Sequence, residues 1–76
     1  MPNYEPPKAL EAEQSVLGAI LVAPEKLTQL IDFLVAPDFY REAHGKIYQA
    51  MLDLVEEGVP VDLVTVSAKL RDRGHL

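Results

Sequence analysis

The sequence predicts an all-α fold, a small four-helix bundle of one domain. Apolar residues recur at helical spacing in four stretches, each closed by proline or glycine. The joining segments are short, as neighbouring antiparallel helices require. With 76 residues and no cysteine, the chain has one small core and neither a disulfide nor a thiolate metal site to hold it.

Residues 1–9 hold three of the six prolines, which predicts an extended N-terminal arm because proline biases its predecessor away from helix. The first helix is expected over 10–23. It begins with the polar Glu11, Glu13 and Gln14, and the two acids suit the positive end of a helix dipole. Val16, Leu17, Ala19, Ile20, Leu21 and Val22 then leave no polar face, so this helix is expected as the buried centre of the bundle. Gly18 inside it lowers helix propensity by about 1 kcal/mol relative to alanine. Close approach of a neighbouring helix is the expected compensation.

Pro24 ends that helix and suits the first position of the next, expected over 25–35, where its missing N–H does no harm. Leu27, Leu30, Ile31 and Leu34 form its apolar stripe. Ala36-Pro37-Asp38 breaks it, and Phe39 is expected to turn into the core.

The third helix is expected over 42–57, with Ala43, Ile47, Ala50, Met51 and Leu54 on one side and a favourable Glu42–Lys46 pair. Gly58 supplies its stop. Val59-Pro60-Val61 reads as a connector with both valines packed. Asp62 is the expected N-cap of the fourth helix, 62–73. That helix turns Leu63, Val66 and Leu70 inward, and Arg71 and Arg73 complement its C-terminal dipole before Gly74. The expected core is Leu17, Ile20, Leu21, Leu27, Leu30, Ile31, Leu34, Phe39, Ile47, Met51, Leu54, Leu63, Val66 and Leu70.

Twelve acidic against seven basic residues give a net charge of −5, which on average repels nucleic acid and anionic surfaces. The longest apolar stretch, Val16–Ala23, is far shorter than the roughly 20 residues a membrane crossing takes. No basic segment leading into an apolar run marks a secretory signal, so a cytoplasmic domain is expected. Gly45-Lys46 is the only Gly-Lys pair; Ile47 follows it and Tyr40 stands where a phosphate-binding loop needs its first glycine. Asp38, Tyr40, Glu42 and His44 are the one cluster with acid–base potential. So small a bundle is expected to lack room for a pocket of about 300 Å3, and His44 is expected as a hydrogen-bonded structural histidine. His44 and His75 are too far apart in sequence, and too few, for a metal site. Lys69, Arg71 and Arg73, with Asp72 among them, read as a solvated helix end. No catalytic, cofactor-binding or metal-binding residue is therefore expected.

The third helix carries one anomaly. A second stripe, His44, Tyr48, Leu52 and Val55, widens its apolar arc to about 200°, where a surface helix needs little more than 100°. Either the helix is sandwiched within its own domain, or Tyr48, Leu52 and Val55 face another protein. Phe33, off the main stripe of its helix, is a further interface candidate.

Pro6-Pro7-x-x-Leu10-Glu11-Ala12-Glu13-Gln14-x-Val16-Leu17-Gly18, then Asp38-Phe39-Tyr40, His44-x-x-Ile47-Tyr48 and Gly58-x-Pro60-Val61-Asp62-x-x-Thr65 occur in one order. Together they resemble the N-terminal domain of bacterial replicative DNA helicases of the DnaB type, over residues 6–76. The resemblance implies a hexameric motor that unwinds DNA at the replication fork, with ATP and Mg bound in a C-terminal motor domain that has no counterpart here. It implies a collar-forming, partner-binding role for this head, with the other helicase subunits, primase and a helicase loader as partners and little direct contact with nucleic acid. The chain stops at Leu76, before the helical hairpin that follows the head in that family. The other readings are a helical interaction domain of another replication protein, such as the helicase-binding end of a primase, or a stand-alone adaptor. A direct DNA binder ranks last, because the most basic helix offsets its cations with Asp62 and Asp72.

Overall fold

The computed structural model describes residues 7–76. Among these residues the chain forms four α-helices and two short 3-10 turns, with no strand.

Helix α1 spans Pro7–Val22. Residues 7–9 of the expected arm are therefore helix, and the rest of that arm lies outside the described residues. A proline is tolerated there because the first N–H groups of a helix have no intrahelical partner. The earlier start puts Glu11 and Glu13 beyond the first turn, which carries no acid. Nor is α1 the centre of the bundle. Leu17 and Ile20 are buried, but Val22 is 87% exposed, and Ser15 and Gly18 face outward. No atom lies within 4 Å of where a Gly18 Cβ would stand, so no helix closes on it.

A 3-10 turn, Pro24–Lys26, leads into α2, Leu27–Leu30. The expected helix over 25–35 thus keeps a single α-turn. Beyond it the Phe33 N–H bonds back to the Leu30 carbonyl at 3.0 Å, and Val35 is extended with φ −118° and ψ 160°. Leu27 is buried and Leu30 and Leu34 pack against the core. Ile31, expected inside, caps the open end of that turn and is 43% exposed. A second 3-10 turn, Ala36–Asp38, follows. Phe39 turns into the core and tilts against Tyr48, with ring centroids 5.2 Å apart.

Helix α3, Glu42–Glu56, is the true centre and packs against α1, the 36–38 turn and a fourth helix. It buries His44, Gly45, Tyr48, Ala50, Met51 and Leu54. The wide apolar arc is therefore largely covered by the domain itself, although Ala43 is exposed. Close backbone approach occurs at Gly45, where a Cβ would stand 2.8 Å from the Ala36 carbonyl oxygen. Helix α3 ends in a Schellman motif. Gly58, at φ 75°, donates to the Val55 carbonyl at 3.0 Å, and Val59 donates to the Leu54 carbonyl at 2.9 Å.

Helix α4 spans Leu63–Asp72. Asp62 caps it by accepting from the Thr65 N–H at 2.8 Å, and Thr65 Oγ1 returns the favour to the Asp62 N–H at 3.0 Å. Val66 and Leu70 are buried. Leu63, expected inside, is 67% exposed, because Val61 on the connector takes the buried place at that end. Val59 packs against the core beside it. No helix among the described residues is long and apolar enough to cross a membrane.

Candidate protein interface

The polar groups near the start of α3 converge on Glu13 of α1. Its Oε1 lies 2.7 Å from His44 Nδ1 and accepts from the Arg41 N–H at 3.3 Å, while Oε2 accepts from the Tyr40 N–H. An ionised carboxylate only accepts, so His44 carries its proton on Nδ1. Arg41 is the N-cap of α3, and N–H groups at a helix start lack intrahelical partners. The Glu13 carboxylate supplies one from 28 residues away. Partial burial pushes its pKa up, but the bonds from His44, Tyr40 and Arg41 outweigh that and hold it below its ordinary 4.5.

The same contacts disperse the acid–base cluster. His44 is committed to Glu13, Asp38 Oδ2 accepts from the Val35 N–H at 3.0 Å, and Glu42 pairs loosely with Lys46 at 3.8 Å. Among the described residues, no group of three or more His, Cys, Asp or Glu is placed to hold a metal ion. The basic end is also largely consumed. Lys69 pairs with Glu57 at 2.7 Å and Arg73 with Asp53 at 2.5 Å. The Arg73 guanidinium holds the Asp53 carboxyl below its ordinary 3.8.

The bundle has more room than expected, on its surface. An open groove of about 410 Å3 is lined by Ala36, Pro37, Phe39, Tyr40, Glu42, Gly45, Lys46, Gln49, Arg73 and His75. A second, of about 430 Å3, shares Glu42, Lys46 and His75 with it and adds Ala43, Ile47, Leu70 and Leu76. The first opens between α3, the 36–38 turn and the residues after α4, and the second between α3 and the end of α4.

The four interface candidates divide. Tyr48 is wholly buried and its hydroxyl donates to the Leu34 carbonyl at 2.8 Å, so it belongs to the core. A phenol needs only one polar partner to be buried, and the segment after α2 provides it. Burial, with the Asp38 charge nearby, pushes its pKa up. Leu52 is half-buried and packs against the core. Val55 is 41% exposed and Phe33 70% exposed. Ile31 and Val35, not among the candidates, are exposed on either side of Phe33. The foreshortening of α2 turns them outward, and periodicity carries no signal of where a helix stops.

A family model described as the DnaB-like helicase N-terminal domain matches residues 5–76. The chain is 52% identical over 65 residues to a protein of Geobacillus stearothermophilus named replicative DNA helicase DnaB, covering 86% of this chain and 14% of that one. It is 55% identical over 65 residues to one of Bacillus subtilis (strain 168) named replicative DNA helicase DnaC, with the same 86% and 14% coverage. The fold superposes on the crystal structure of the N-terminal domain of DnaB helicase from Mycobacterium tuberculosis with a TM-score of 0.86 at 47% identity, covering 95% of this chain and 50% of that one.

Proposed function

Since the chain belongs to the DnaB-like helicase N-terminal domain family, we propose that it is the head of a replicative helicase's N-terminal domain, a non-catalytic scaffold that binds partners. The observation that carries this is the shared fold, a TM-score of 0.86 at 47% identity to a helicase N-terminal domain. The chain spans only 14% of the length of the two helicases of Geobacillus and Bacillus, so the activity of the whole protein is part of this proposal. In this reading the whole protein is a cytoplasmic hexamer at the replication fork of the bacterial nucleoid. It unwinds DNA using ATP and Mg bound in a C-terminal domain and engages primase and a helicase loader.

The Gly-Lys pair of this chain does not form a phosphate-binding loop. Gly45-Lys46 lies within α3 with Ile47 next, where a phosphate-binding loop needs a serine or threonine after its lysine. Glu13 pairs with His44, Glu57 with Lys69 and Asp53 with Arg73, which commits these groups to the fold as a scaffold would. The relatives named above are replicative helicases, which favours this reading over a primase end or a stand-alone adaptor.

The test is removal. In the protein read from the full coding sequence, deleting residues 7–76 should leave basal ATP hydrolysis within a few-fold and abolish partner-stimulated unwinding. Hydrolysis by the pure 76-residue chain, or full stimulation without it, would refute the assignment.

A further inference from the structure

We draw no further inference here: the strongest candidate, the two open grooves that share Glu42, Lys46 and His75 where α3 meets the end of α4, carries nothing, because the chain spans 50% of the solved helicase domain it matches and nothing in the structure shows what covers that face.

Discussion

Glu13 and His44 stand 31 residues apart in sequence and meet at 2.7 Å. The bond fastens α1 to the first turn of α3, and the same carboxylate takes the Tyr40 and Arg41 N–H groups. One side chain thus sets where the chain enters the central helix.

Glu13→Ala leaves all three donors without their acceptor. A hydrogen bond to a charged group is worth about 1.5–3 kcal/mol, and a loss of that order should appear as a lower urea midpoint with an unchanged slope. A change below about 0.5 kcal/mol, the ordinary range for surface substitutions, would mean the cluster is inert.

Acid should act through the same group. The Glu13 and Asp53 carboxyls both titrate below their ordinary values of 4.5 and 3.8 in the folded chain. Such groups contribute stability that is fully present above the unfolded pKa and is lost as pH falls through the folded one. The urea midpoint should therefore start to fall below about pH 4.5. The fall should be shallower in Glu13→Ala. Asp53 should matter less, because its pair with Arg73 is 28% and 32% exposed and solvent screens it. An identical acid slope in the variant would contradict this account.

The two helical glycines should respond oppositely to alanine. At Gly18 a Cβ meets nothing within 4 Å, so Gly18→Ala should stabilise by about 0.4–1 kcal/mol through helix propensity and a less flexible unfolded chain. At Gly45 the new Cβ would lie 2.8 Å from the Ala36 carbonyl oxygen. Gly45→Ala must push the 36–38 turn off α3 and should destabilise by about 1–3 kcal/mol. Thermal melts of the pair decide the matter, and equal shifts would refute the packing difference.

Tyr48→Phe keeps the ring against Phe39 and removes the hydroxyl that serves the Leu34 carbonyl. The loss should be about 0.5–1.5 kcal/mol. Hydrogen exchange should quicken selectively in the segment after α2, whose Leu34 that hydroxyl ties to α3. Uniform quickening across the domain would place the effect in the core instead.

Caps and glycine stops were legible in the sequence because their chemistry is local. Asp62 and Thr65 lie three residues apart and satisfy each other, and Gly58 ends α3 with its own backbone. Long-range relations were not legible. Nothing near Glu13 in sequence announces His44, and nothing near Tyr48 announces the Leu34 carbonyl. Tyr48 consequently reads as either core or interface until the Leu34 carbonyl is seen to accept its hydrogen bond. Ile31 and Leu63 fit their stripes and still face outward, because helical spacing describes which residues share a face but not how far the neighbouring element extends. Val35 is exposed through the same gap: a helix expected to run to residue 35 ends at Leu30, and Val35 beyond it is extended.

Gly58 and Gly74, at φ 75° and 74°, adopt the mirror image of the backbone that L-residues prefer. At this length the chain is within reach of chemical synthesis, where handedness can be chosen residue by residue. A D-alanine at either position would take the present conformation as its own minimum, whereas an L-residue would be strained there even though no atom lies within 4 Å of where its Cβ would stand. The two helix ends are thus the places where a residue of opposite chirality belongs to the fold.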